Sequence, residues 1–449
     1  MTYQEFKTAI INYADKYEVT DYELYYTKSD ETNVEIFQTE VKGFSTANNT
    51  GICFRCIIDG KTGYASTENL TDEEALSLVI RAIENAKSIE SDAPSFIHKQ
   101  GDTYLSCEKK ERTAAAASQL VDFALDLQQE LYAQDERVAN NSQSYAGSTS
   151  FMTALYNSNG LDLEDSGCFD YCYGIAIVND GQEMYDGMHI AAGSLQEFDK
   201  KEVAKEAVND AIETIGYTSI DSGEYTVVFS NKVMANLLTT YASIFSAEAA
   251  QKGLSLLKDK EGEMIASKLI TITDDPVYKD ALVTSTFDGE GAATYTKNVV
   301  ENGKLLTLLH NLTTAAKAGV KTTGNASKAS YASPVGISPY SFYINPVKGT
   351  LEDLMEEARN GIYVTSVEGI HAGANEITGD FSLSSGGFKI ENGKKSTPIK
   401  GFTISGNFLQ LMKDISTVGE DLKFRPSAFG SFRCGSPSIL VKGIKVAGK

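Results

Sequence analysis

The residues best suited to chemistry lie in one stretch, Ile370 to Phe388, where His371, Glu376 and Asp380 interleave with Asn375, Thr378 and four glycines. An imidazole beside two carboxylates could move protons or hold a divalent ion, and glycines allow a backbone to approach a ligand closely. Asn375, Thr378 and Asp380 could equally satisfy the backbone groups of a buried turn. Cys53-x-x-Cys56 has the spacing of half a zinc site, but it lies in an alternating strand pattern, which sends the two thiols to opposite faces. Cys168 and Cys172 share a strand face but stand well apart, and all four read as packing cysteines. No Gly-x-Ser-x-Gly elbow, P-loop or dinucleotide fingerprint occurs, and Gly289-Glu290-Gly291 reads as a loop.

The elements that must position these residues follow from periodicity. Thr2 and Glu5 form a capping-box pattern ahead of a first helix, and Thr71 with Glu74 opens a second. A third helical pattern runs from about Glu111 to Ala133, and a fourth carries Val203, Ala207, Val208 and Ala211. Between them the period falls to two, with Asp59-Gly60, Asn159-Gly160 and Asp180-Gly181 as hairpin turns. This predicts an α+β fold with two domains. Residues 1–220 form a unit of antiparallel sheet with helices, and residues 221–449 a mainly β unit with a few helices, where seven of the eight prolines lie. One helix is expected from Ser230 to Gln251. The weakly charged stretch from Lys321 to Pro346 is a candidate substrate or partner loop.

The 449 residues carry 40 Lys+Arg against 61 Asp+Glu, a formal charge of −21. Such an acidic chain repels phosphate backbones, so direct nucleic-acid binding is not expected. No apolar run has the length of a membrane span, the first residues lack a secretory leader pattern, and six sparse cysteines suit a reducing compartment. A cytoplasmic protein is expected.

The run from His371 to Asn407 is similar to the signature of the TldD/PmbA family. It reads His-Ala-Gly-Ala-Asn, then Thr-Gly-Asp-Phe-Ser, Ile-Glu-Asn-Gly and Phe-Thr-Ile-Ser-Gly-Asn. The resemblance extends to Leu308–Asn311, Thr323-Gly324-Asn325-Ala326, Gly435–Gly443 and, in the first half, Phe54–Thr67. It implies membership of a peptidase system linked to peptide maturation, antitoxin degradation and DNA gyrase. In that family the TldD type holds zinc on a His-Glu-x-x-x-His helix completed by a cysteine near the carboxyl end. Aligned from Ser255, the corresponding positions here are Leu238, Thr239 and Ser243, and hydrocarbon and hydroxyl groups do not replace imidazole on zinc.

The resemblance therefore points to the PmbA (TldE) type, with no metal of its own. Zinc is expected only in a TldD-type paralogue that this chain joins as a heterodimer, a homodimer being the alternative, with a peptide as substrate. Whether Cys434 matches the family's ligand cysteine is left open. Asn325, Asn375, Thr378 and Asn407 are candidates to line the substrate cleft. Two other functions fit the same residues: a hydrolase in its own right using His371, Glu376 and Asp380, or an interaction module acting on gyrase or a toxin–antitoxin pair.

Overall fold

A computed structural model describes residues 1–90, 94–107, 110–424 and 433–449. The first half is an antiparallel six-stranded sheet built from two copies of one arrangement. Helix α1 (Tyr3–Lys16) leads into β1 (Tyr22–Phe37), β2 (Glu40–Ile58) and β3 (Lys61–Thr67), closed by α2 (Asp72–Ser88). Helix α3 (Ala117–Gln134) likewise leads into β4 (Gln143–Asn157), β5 (Asp162–Asn179) and β6 (Met184–Gly193), closed by α4 (Lys200–Ile212). The strand order β3-β2-β1-β4-β5-β6 places the two copies back to back across the β1–β4 pair.

Alternation sets the faces. Tyr22, Leu24, Tyr26, Val34 and Ile36 of β1 all turn to one side, the first three into the core under α1 and α2 and the last two into the core under α3 and α4. Tyr25 turns to the other side, where with Cys53, Leu155 and Leu161 it meets Phe287 of the second half. Cys53 and Cys56 accordingly lie in separate clusters. The closing helices sit tight on the outer strands. A Cβ at Gly63 would stand 1.9 Å from the Ala82 carbonyl oxygen, and one at Gly187 2.2 Å from that of Ala207. The same contact is thus made at both ends of the sheet, with Ala82 and Ala86 on α2 answered by Ala207 and Ala211 on α4.

The second half begins with β7 (Gly223–Phe229), α5 (Asn231–Tyr241) and α6 (Ala247–Gln251). It continues through β8 (Ile272–Asp275), β9 (Lys297–Glu301), β10 (Lys304–Leu305), α7 (Leu312–Ala318), β11 (Ala326–Ser327), β12 (Gly336–Ile337) and β13 (Ser341–Ile344). After α8 (Leu351–Ala358) come β14 (Gly361–Glu368), the single turn α9 (Ile370–Gly373), β15 (Asp380–Glu391), β16 (Lys394–Asn407) and α10 (Phe408–Asp414). The chain ends with β17 (Ile415–Val418), β18 (Lys423–Phe424), β19 (Cys434–Ser436) and β20 (Ile439–Ala447). Strands β7, β14, β15, β16 and β20 close on themselves, because β16 pairs with both β15 and β20. A second sheet runs β10-β9-β8-β13-β19-β18, and α5 lies in the core shared by the two. The Asn-Gly turns form as their composition predicts, with positive φ at Asn302, Gly303, Asn392 and Gly393.

Two expectations fail for tertiary reasons. The helix expected from Ser230 to Gln251 is broken, with a 3-10 turn at Ala242–Phe245 and a new start capped by Ser246. Leu309 inserts at the break, its N–H donating to the Phe245 carbonyl (2.8 Å) and its carbonyl accepting from Ala247 (2.9 Å), so that backbone bonds to another segment replace helical ones. The third helix starts at Ala117, not Glu111. Before it the chain is held extended by Arg112 on the Leu282 carbonyl (2.8 Å) and by the Ala115 N–H on Asp170 (3.1 Å).

No described helix is long and apolar enough to cross a membrane. Because a Gly63 side chain would strike backbone, Gly63→Val should destabilise the chain by about 3 kcal/mol or more. Thermal unfolding followed by circular dichroism would measure this, and an unchanged melting temperature would contradict the close β3–α2 contact.

Candidate functional site

Helix α5 starts at Ser230, whose side chain accepts from the Val233 N–H (3.3 Å), and buries Val233, Met234, Leu237, Leu238 and Tyr241. Tyr241 ties it to the glycine-rich stretch. Its ring stacks on Phe408 at 4.5 Å between centroids, and its hydroxyl donates to the Asp380 carbonyl at 2.9 Å. Asn407 organises the other side. Its carbonyl oxygen caps α10 through Leu409 and Gln410, while its amide donates to the Thr378 carbonyl (2.8 Å) and to the Asp380 carboxylate (3.0 Å).

Hydrogen bonds from Asn407 and Thr378 hold the Asp380 carboxyl below the usual carboxylate range. The Asn375 side chain accepts from the N–H groups of Ile377 and Thr378 at 3.0 and 3.1 Å. Asn375, Thr378 and Asn407 thus bond within the turn, which is exposed at Asn375, Thr378 and Asp380, not buried as one sequence reading has it. Around the turn, Ala372–Ser382 line an open depression of about 630 Å³ that includes Asn375, Glu376 and Asp380. His371 is exposed on α9.

The three positions aligned with the family's metal helix are distributed differently. Leu238 is wholly inside the core, and the Thr239 hydroxyl donates to the Ala235 carbonyl (2.8 Å). Ser243 is exposed, its hydroxyl donating to Glu376 at 2.5 Å. Sequence reasoning proposed Ser243 and Glu376 separately, and the fold brings them together. Cys434 on β19 is buried against α5, its thiol hydrogen-bonded to Thr239. Burial pushes that thiol up to about 11, so it is protonated at neutral pH. The donors at these positions do not fit zinc. Among the described residues no group of three or more His, Cys, Asp or Glu is arranged to hold a metal ion.

Asn325 lies elsewhere, fully buried, its amide donating to Asp274 (2.8 Å) and its oxygen accepting from Lys297 (3.2 Å). It braces the interior at the start of the Lys321–Pro346 stretch. That stretch is more than a surface loop, since it contributes β13 to the second sheet and presses Tyr331 on β2, where a Cβ at Gly51 would stand 2.3 Å from the ring.

A group that sequence reasoning missed joins the two halves. Arg55 donates to Glu23 (2.9 Å) and lies 3.5 Å from Glu290, while Lys328 reaches Glu23 (3.3 Å) and sits 4.2 Å over the Tyr25 ring. All four charged side chains are buried. The available signal was Glu23 and Arg55, each the lone charge in an apolar run (Tyr22–Tyr26 and Ile52–Ile58), which the register places directly opposite each other. Above this cluster opens a cleft of about 1210 Å³, between the sheet face that carries Tyr25 and the loops around Asp288 and Lys328–Tyr331.

Together these features define an α+β protein whose two sheet-bearing halves meet across a buried charge group. Models of the PmbA/TldA metallopeptidase match in three parts: domain 1 at residues 22–86, the central domain at 113–215 and the C-terminal domain at 222–448. A Methanocaldococcus jannaschii protein, itself uncharacterised, is 32% identical over 94% of this chain and 95% of its own. A Haemophilus influenzae homologue of the metalloprotease PmbA is 24% identical over 94% of this chain and 91% of its own. Among solved structures, a Thermotoga maritima protein provisionally described as a modulator of a DNA gyrase superposes with a TM-score of 0.89 at 30% identity, covering 99% of this chain and all of that one. TldE from Thermococcus kodakarensis shares the fold with the same score, at 23% identity over 99% of this chain and all of its own. The chain belongs to the PmbA/TldD metallopeptidase family.

Removing one member of the buried charge group leaves the others uncompensated. Arg55→Ala should cost about 3–5 kcal/mol in denaturant unfolding, whereas a loss near zero would mean that the group is not closed to solvent. At pH 8 the native chain should alkylate at Cys434 far more slowly than the unfolded chain, as read by mass spectrometry of iodoacetamide adducts.

Proposed function

We propose that this chain is the PmbA/TldE-type subunit of a cytoplasmic TldD-type metallopeptidase, one that brings no zinc of its own and completes the enclosure of a peptide substrate around a zinc-bearing paralogue. The observation that carries this reading is the chemistry around α5. Where the TldD type is expected to present two imidazoles and a glutamate, this helix offers a core leucine and a threonine engaged with its own backbone, and the 3-10 turn after it a serine bound to Glu376. The nearby cysteine keeps its proton. Supporting the location, all six cysteines are unpaired, and the charge of −21 argues against direct nucleic-acid binding. We read residues 1–220 and 221–449 as its two domains. Heterodimerisation is the proposed state, with a homodimer when the paralogue is absent.

The hydrolase reading through His371, Glu376 and Asp380 has less behind it. The Asp380 carboxylate is occupied by Asn407, and Glu376 is bound to Ser243. The decisive experiment purifies the chain alone and with a TldD-type paralogue from the same source, measuring zinc by plasma mass spectrometry and cleavage of an unfolded peptide. Zinc and cleavage are expected with the paralogue and neither with the isolated chain, and His371→Ala should leave the pair's cleavage unchanged. Stoichiometric zinc and peptidase activity in the isolated chain would overturn the assignment.

A further inference from the structure

The segment between α2 and α3 is a strap tied to the second half of the chain. The Pro94 carbonyl accepts from Thr313 (3.4 Å), Asp102 accepts the Ala293 N–H (2.8 Å), and the Tyr104 hydroxyl donates to the Gly291 carbonyl (2.9 Å). Further on, the Cys107 thiol donates to the Thr284 hydroxyl (3.4 Å) and Arg112 to the Leu282 carbonyl (2.8 Å). Strap residues 107 and 110–114, the loop at residues 277–284 and strands β4 and β5 together line a cavity of about 570 Å³. Small-molecule sites occupy roughly 300–1,000 Å³, so this one has room for a guest.

The cavity gathers the thiols that the fold leaves within reach. Cys53, Cys56, Cys172 and Cys434 are buried, whereas Cys107 and Cys168 are half-buried and both line this space. Their surroundings differ. The Cys168 thiol donates to the Arg112 carbonyl (3.1 Å), and burial together with the Asp170 charge pushes it up, so it holds its proton. Cys107 meets a hydroxyl in place of a carbonyl. Lys110, Arg112 and Lys279 bring three cations to the walls, against the carboxylates of Glu111 and of Asp280, the latter 3.6 Å from Lys110. A concave site with an excess of one sign of charge concentrates reactants of the other sign.

We infer that Cys107 is a modification site, at which a low-molecular-weight disulfide carrying carboxylates enters the cavity and leaves one of its halves on the protein as a mixed disulfide. The Cys107 thiol gives its proton to water, and the resulting thiolate attacks one sulfur of the incoming disulfide. A new S–S bond forms as the old one breaks, and the second half departs as a thiolate that takes up a proton. Cys107 is oxidised and the incoming disulfide reduced, so the exchange balances without another reactant. The carboxylates of the bound half pair with the cations of the walls, and the Cys107 sulfur no longer donates to Thr284. A reversible group is thereby placed where the strap crosses the second half, and its attachment requires neither zinc, nor peptide, nor a partner chain.

The test incubates the full chain with glutathione disulfide, which is anionic, and separately with cystamine, which is cationic, and maps adducts over time by peptide mass spectrometry. Glutathione disulfide should modify Cys107 at least about tenfold faster than Cys168 or any of the four buried cysteines, and dithiothreitol should reverse it. Lys110→Gln with Lys279→Gln should slow glutathione disulfide about threefold or more at low salt and leave cystamine as fast or faster. Cys107→Ser should remove the adduct, and Cys168→Ser should keep it. Equal modification of Cys107 and Cys168 in the unaltered chain would overturn the inference without any variant having to fold. An equal response of both reagents to the lysine substitutions would also overturn it, because exposure alone would then select the thiol.

Discussion

The buried group of Glu23, Arg55, Glu290 and Lys328 is the interaction on which the rest of the molecule depends. Two cations and two carboxylates are withdrawn from water where the sheet meets the second half, and each is tolerable only because the others are present. Such a group adds little net stability compared with a well-packed apolar contact, but it permits essentially one docking geometry, since any slippage strands a charge. Glu290 extends the constraint into the second half by accepting the Leu312 N–H at the start of α7 (2.9 Å). The cleft above the group and the seat of Tyr331 on Gly51 both follow from this one registration of the halves.

The glycine-rich stretch illustrates a division of labour within one motif. Asn375, Thr378 and Asn407 spend their hydrogen-bonding capacity on the turn and on the start of α10, and Tyr241 fastens the turn to α5. His371, Asn375, Thr378 and Asp380 are exposed, as is the Ser243–Glu376 pair. The composition of this stretch suits a tight turn as well as a site, because both draw on the same small polar residues.

Much of this was legible in the sequence. Capping pairs, period-two alternation and Gly-containing turns are local signals, and they marked the helices at Thr2 and Thr71 and the hairpin at Asp59-Gly60 because neighbours within four residues decide those structures. The break after Tyr241 was not legible, since it is made by Leu309, more than sixty residues away. The duplication was hidden for a related reason: what the two copies share is a strand order and a glycine beneath an alanine pair, not a run of similar side chains. At the site, the lack of nitrogen donors on α5 could be read directly, but the contact between Cys434 and Thr239 and the meeting of Ser243 with Glu376 required the fold.

The twofold arrangement of the sheet has one more implication. Because Gly63 and Gly187 each let a helix settle on an outer strand, both flanks obey the same steric rule and neither needs the other to form. A chain with two equivalent flanks can keep one for structural closure and let the other diverge. Sequence change along β2 therefore leaves the helix contact at Gly187 on the opposite flank untouched.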